Sequence, residues 1–130
     1  MDITISEEQA RVPVTILKIT GAIIDNQELE QQAKEVFGRG GRNLLLDLSA
    51  VPYIATSGLR ALHAIYMLLR SAAPEESDEA IKTGIAAGTY MSPHLKLLNP
   101  SAHVLEALKA AGYDMFLEIH HNQKQALASF

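Results

Sequence analysis

The sequence predicts one α/β domain in which helices pack on a mixed β-sheet. Three features carry this expectation. The chain opens on two β-rich runs and then alternates helical and strand-like segments to its end. Its 130 residues suffice for one hydrophobic core and are few for two, so residues 1–130 are read as a single domain without internal repeats. Of these residues 48% are apolar and 20% charged, the balance of a packed chain rather than a disordered one.

Ile3 and Ile5 alternate with polar neighbours, and Glu7-Glu8-Gln9 reads as the turn of a hairpin. The partner strand carries Val12, Val14, Ile16 and either Leu17 or Ile19 and stops at Gly21, with Pro13 placing its start at an edge or irregularity. Asp25 or Asn26 can cap a helix whose apolar spacing is Leu29, Ala33, Val36 and Phe37. Gly38, Gly40 and Gly41 end it. The run Asn43-Leu44-Leu45-Leu46-Asp47-Leu48 is nearly continuous in apolar residues, as expected of a strand buried on both faces. Thr56 or Ser57 can cap a long helix with Leu59, Leu62, Ile65, Tyr66 and Leu69 on its buried side.

Residues 71–93 break this rhythm. They hold Pro74, the acidic run Glu75, Glu76, Asp78 and Glu79, two glycines and a Ser92-Pro93 step, which together predict an inserted flexible acidic loop with one irregular helical turn near Glu79–Ile85. The acidic run reads as a solvated face. Leu95, Leu97 and Leu98 form a further strand, and Asn99-Pro100-Ser101 opens a helix with proline in its first turn, burying Val104, Leu105, Leu108 and Ala111 before Gly112. Met115–Ile119 gives a last short strand, and Asn122 caps a terminal helix carrying Ala126, Leu127 and Phe130.

Composition removes several function classes. Eleven basic residues stand against fifteen acidic ones, a formal charge of −4, and no basic stripe exists for phosphate contacts, so no nucleic-acid partner is expected. Without cysteine there are no disulfides, zinc–thiolate sites, iron–sulfur clusters or Cys nucleophiles. The N-terminus lacks a basic region followed by an apolar run, and no stretch approaches a membrane span. A cytoplasmic domain with no direct membrane insertion is expected.

Most of the candidate chemistry has a structural reading. Phe37-Gly38-Arg39-Gly40-Gly41-Arg42 is rich in glycine, but it follows a helix and precedes a strand, the reverse of a phosphate loop. His63, His94, His103, His120 and His121 show no ligand spacing, and the adjacent pair points to opposite faces if extended, so no metal or cofactor is expected. Ser57 lacks the Gly-x-Ser-x-Gly elbow of a hydrolase, and Asp47 has no His partner in sequence, so the chain is not expected to be an enzyme.

Leu44 through Leu59 is the most informative stretch. A buried strand runs into a short turn, and two adjacent hydroxyls open a helix where backbone N–H groups and the positive end of the dipole are free. Simple N-capping needs one hydroxyl. A phosphoacceptor is the other reading, since a phosphate of about −1.5 to −2 charges is tolerated at a helix N-terminus and repels an acidic partner. Local physics permits both.

This passage resembles the signature of the STAS domain, the family of anti-sigma factor antagonists, in which a strand leads to an Asp-Ser/Thr-Ser-Gly-Leu turn opening a helix. The hairpin ending at Gly21 and the segment Leu97-Leu98-Asn99-Pro100-Ser101 with Val104, Leu108 and Gly112 extend the likeness over most of the chain. The resemblance implies a STAS-like mixed sheet and a protein–protein switch without catalysis. It implies a phosphoacceptor at Thr56, a partner-binding turn of Ala55, Thr56, Ser57, Gly58 and Leu59, an anti-sigma factor serine/threonine kinase as partner, and a PP2C-type phosphatase that reverses the modification. The unphosphorylated form would bind the kinase and free its sigma factor. Two positions depart from the family: Ala55 replaces the acidic residue before the phosphoacceptor, and Ile24 falls near the acidic position after the hairpin glycine, with Asp25 displaced by one. Rival readings are an accessory STAS subunit of a membrane transporter, a stressosome-type scaffold, and a small-molecule or lipid-binding module whose pocket Tyr90 and Met91 would line.

Overall fold

A computed structural model describes residues 1–130 as one α/β domain built on a five-stranded sheet of order β1-β2-β3-β4-β5. The strands are β1 (Asp2–Gln9), β2 (Pro13–Thr20), β3 (Leu44–Ala50), β4 (Leu95–Leu98) and β5 (Glu118–His120). β1 runs antiparallel to β2, and every later pairing is parallel. The helices are α1 (Gln27–Gly38), α2 (Thr56–Ser71), α3 (Asp78–Ala87), α4 (Ala102–Ala110) and α5 (Gln123–Ala128), with a 3₁₀ turn at Tyr113–Met115.

Period-two alternation sorts the strands onto two faces. Leu17 and Ile19 of β2, Leu44, Leu46 and Leu48 of β3, and Leu95 and Leu97 of β4 meet Leu29, Ala33 and Val36 of α1, Leu62, Ile65 and Leu69 of α2, and Val104 and Leu108 of α4 in the main core. The opposite face, with Val14, Ile16, Leu45 and Leu98, is covered by Ala126 of α5 and by Leu127 and Phe130. β3 is therefore buried on both sides, as its apolar run predicts. Lys96 points to this second face and is only 2% exposed. Its ammonium is neutralised there by Glu118 at 2.8 Å, bonds the Ser129 carbonyl at 2.8 Å and lies over the Phe130 ring.

Several local expectations need correction. Glu7-Glu8-Gln9 is not the hairpin turn: these residues pair with Thr15, Val14 and Pro13, because an edge strand beyond the rim of the core keeps its backbone ladder without any apolar side chain to mark it. Asn26 makes no capping bond at α1, and the Asp25 carboxylate accepts the Gln27 N–H instead at 3.1 Å. Pro100 precedes Ser101, which is the N-cap of α4 and accepts the Val104 N–H, so proline lies outside that helix. Residues 113–115 wind into the 3₁₀ turn, leaving β5 only from Glu118. Asn122 caps α5 as expected, accepting the Gln125 N–H at 3.0 Å.

The largest difference lies within residues 71–93. A ten-residue helix, α3, replaces the single irregular turn. Ser77 caps it by accepting the Ala80 N–H, Asp78 and Glu79 lie at the positive end of its dipole, and Gly88 ends it in the left-handed conformation (φ 72°). The acidic run is solvated at Glu75, Asp78 and Glu79, as expected, but Glu76 turns inward. Glu75 bonds His94 at 2.6 Å, buried Glu76 accepts the Tyr90 phenol, and Asp78 pairs with Arg70.

Candidate functional site

The strand–turn–helix passage forms a tightly pinned corner. After β3 the chain crosses to the segment following β2: Ile23 N–H donates to the Tyr53 carbonyl at 3.0 Å, and Ala55 N–H donates to the Ile23 carbonyl at 2.9 Å, closing a parallel bridge between Ile23 and Ile54. Both isoleucines are buried in the main core. α2 starts on this clamp.

Ala55 occupies the N-cap in an extended conformation (φ −83°, ψ 169°) and has no side chain able to cap. Neither Thr56 nor Ser57 is the cap, contrary to the simpler expectation, because they are the first two helical residues and project from the first turn. The amides of Thr56, Ser57 and Gly58 donate no hydrogen bond, and Leu59 N–H makes the first helical one, to the Ala55 carbonyl at 3.0 Å. Three free N–H groups thus converge at the positive end of a sixteen-residue helix.

The five residues of the turn differ in exposure. Thr56 is exposed, Ala55, Ser57 and Leu59 are half-buried, and Gly58 is buried. Gly58 is fixed by close approach: a Cβ there would lie 2.7 Å from both Ile23 Cγ2 and the Ile23 carbonyl oxygen, and 2.8 Å from Ile54 Cγ1. Its task is to let the first turn of α2 sit on the Ile23–Ile54 bridge, which aims Thr56 outward. The Tyr113 phenol steadies that turn by donating to the Leu59 carbonyl at 2.8 Å, and burial raises the pKa of this phenol. At the other end of the loop, the Ser101 hydroxyl donates to the Val51 carbonyl at 3.3 Å.

Residues outside the signature complete the surface. Arg60 follows Thr56 by four positions and is likewise exposed, so the two share one helix face. Ile24 and Tyr53, each adjacent in sequence to the clamp residues, are 63% and 47% exposed, with the Tyr53 ring 5.9 Å from that of His103. The i, i+4 spacing from Thr56 already marks Arg60 in the sequence. The sequence marks Ile24 only as a departure from the family's acidic position and does not mark Tyr53; their exposure beside the clamp follows from the bridge.

Elsewhere the glycines, Asp47 and two of the histidines make local structural contacts. The glycine-rich stretch turns the chain out of α1, with Gly41 N–H bonding the Val36 carbonyl at 2.9 Å and Arg42 stacked on Phe37. Asp47 accepts the backbone N–H and the hydroxyl of Ser49. His94 bridges Glu75 and Asn43, and His120 meets Glu118. No helix is long and apolar enough to cross a membrane.

A sheet of this order, with a hydroxyl-bearing turn launching a helix from its central parallel strands, defines a small mixed-sheet α/β domain type. The STAS domain family model matches residues 6–73, more than half of the chain, and the chain belongs to that family. Solved structures agree on the fold. An anti-sigma factor antagonist from Mycobacterium paratuberculosis is similar at 21% identity over 98% of this chain and 93% of that one, with a TM-score of 0.67. The Bacillus cell fate determinant SpoIIAA in its phosphorylated form covers 96% of each chain at 10% identity, with a TM-score of 0.60. The unphosphorylated form of the anti-sigma factor antagonist SpoIIAA covers 96% of this chain and 93% of that one at 8% identity, with a TM-score of 0.59. No curated protein sequence matches the chain.

Proposed function

We propose that this chain is an anti-sigma factor antagonist, a cytoplasmic protein–protein switch that catalyses nothing itself and needs no cofactor. In its unphosphorylated form it binds an anti-sigma factor serine/threonine kinase and so releases a sigma factor. Phosphorylation of Thr56 by that kinase ends the contact, and a PP2C-type phosphatase restores it.

The observation that carries this reading is the exposed Thr56 hydroxyl on the first turn of α2, beside three amides without partners. A phosphate of about −1.5 to −2 charges fits that position, since the helix dipole and free N–H groups stabilise an anion there. Arg60, one turn on, adds an i, i+4 cation. Ala55 stands where the family carries an acidic residue, so the turn lacks that residue's polar contact to the kinase. Ile24 and Tyr53 supply apolar contact beside the hydroxyl, the composition of a docking surface whose centre one modification makes strongly anionic. Ser57 and Leu59 flank the contact, while Ala55 and Gly58 shape it.

Incubating wild type and Thr56→Ala with native lysate and radiolabelled ATP tests the acceptor. Label should enter wild type at Thr56 and be absent from the variant. Equal labelling of Thr56→Ala would refute the assignment.

A further inference from the structure

The exposed apolar side chains of this protein are not scattered. Six large ones are exposed, and four of them, Met67, Ile85, Met91 and Met115, gather around one cleft between α2, α3 and the 3₁₀ turn. The cleft encloses about 670 Å³, the size of a small-molecule site rather than a flat protein contact. Its floor is aromatic. Tyr66 and Phe116 meet edge-on with centroids 5.0 Å apart, Tyr113 and Phe116 at 5.5 Å, and Tyr66 and Tyr90 at 6.4 Å.

The two phenols of this wall, Tyr66 and Tyr90, face the cleft as acceptors. Tyr90 donates its phenolic proton to Glu76, so in the 2.7 Å contact between the two phenols Tyr66 must be the donor to Tyr90. Both hydroxyls have then spent their protons and offer only lone pairs. Burial first, and the bonds to Glu76 and Tyr66 second, hold the Tyr90 pKa far above its ordinary value, so this arrangement persists across the physiological range. The second Glu76 oxygen is buried without any partner, but Glu76 lines the neighbouring groove beside Arg70 and Asp78 and not this cleft. Charge follows the same sense. Arg70 in the lining is paired with Asp78, whereas Asp114 forms no ion pair, and the remaining basic group is the His63 imidazole at the rim.

We propose that this cleft binds a protonated organic amine with an apolar body, the body on the aromatic floor and methionines and the ammonium held by the cleft's unpaired acceptors. Aromatic faces attract cations, and unbranched methionines adapt to varied ligand shapes. The site lies apart from Thr56 and does not rest on the proposed switch.

Tryptamine is a suitable probe, because the chain has no tryptophan and indole fluorescence anisotropy reads binding directly. The purified full chain should bind tryptamine saturably and its carboxylate counterpart, indole-3-propionate, about tenfold more weakly. Asp114→Asn and Met115→Lys, the latter at a position 77% exposed and therefore harmless to folding, should each weaken tryptamine by about two- to fivefold with unchanged melting curves. Met115→Leu should bind as wild type does. Equal affinity for amine and carboxylate, no saturation with tryptamine, or undiminished binding by Met115→Lys would overturn the proposal. So would a dimer of the chain that Met115→Lys dissociates, since a second copy would then cover the cleft.

Discussion

Gly58→Ala tests the corner that aims Thr56. The added methyl carbon would lie 2.7 Å from the Ile23 Cγ2 and carbonyl oxygen and 2.8 Å from Ile54 Cγ1, well inside van der Waals contact. Retreat is obstructed, because the Ile23 carbonyl accepts the Ala55 N–H at 2.9 Å and the Ile23 N–H is bound to Tyr53. Overpacking of this kind costs about 1–3 kcal/mol. Against it, replacing glycine by alanine in a helix returns up to about 1 kcal/mol. The net expectation is a loss of about 1–2 kcal/mol, or a fall in Tm of about 3–10 °C for a domain of this size. Gly38→Ala is the internal control: its Cβ would meet nothing within 4 Å, so it should be neutral or stabilise by up to about 1 kcal/mol. Urea denaturation followed by circular dichroism measures both. Gly58→Ala with a midpoint at or above wild type would refute the claim that close approach of α2 to the Ile23–Ile54 bridge fixes the turn.

Two further expectations concern the segment after α2. Tyr90→Phe deletes the donor to Glu76 and leaves the whole buried carboxylate without a bond, so stability should fall by about 1–3 kcal/mol in the same urea assay; an unchanged midpoint would show that the phenol does not anchor this segment. The bond from His94 holds the Glu75 carboxyl below its ordinary pKa. A depressed carboxyl contributes stability that is present above its unfolded pKa and lost as pH falls through its folded one. Glu75→Gln should therefore lessen the acid-side decline of stability below the ordinary carboxylate range. A variant whose profile follows wild type throughout the acid range would count against the pair.

The strands and helices that build the main core were readable because their own periodicity carries the signal. Leu44–Leu46 reads as a buried strand, and Leu62, Ile65, Tyr66 and Leu69 as a helix face, without reference to anything distant. What escaped local reading depends on partners far along the chain. Glu76 reads as part of a solvated run until the return of the chain to β4 brings the Tyr90 phenol to it and buries it. α3 was hidden for the same reason, since Ile81 alone among its residues is buried and Gly84 weakens the helical pattern. At the candidate site, the hydroxyl pair and its helix were legible from the signature. The cap by Ala55, the demand for glycine at 58 and the exposure of Ile24 and Tyr53 all follow from the bridge between residues 23 and 54, which no local pattern reports.

The central claim is that the charge at Thr56 decides which partner this surface holds. A pull-down from native lysate with wild type, Thr56→Ala and Thr56→Glu as baits, read by mass spectrometry, measures that directly. An anti-sigma factor kinase should be captured by wild type and Thr56→Ala and lost with Thr56→Glu. The same partners on all three baits, or transporter subunits in place of a kinase, would contradict it and leave Thr56 an ordinary residue in the first turn of a helix.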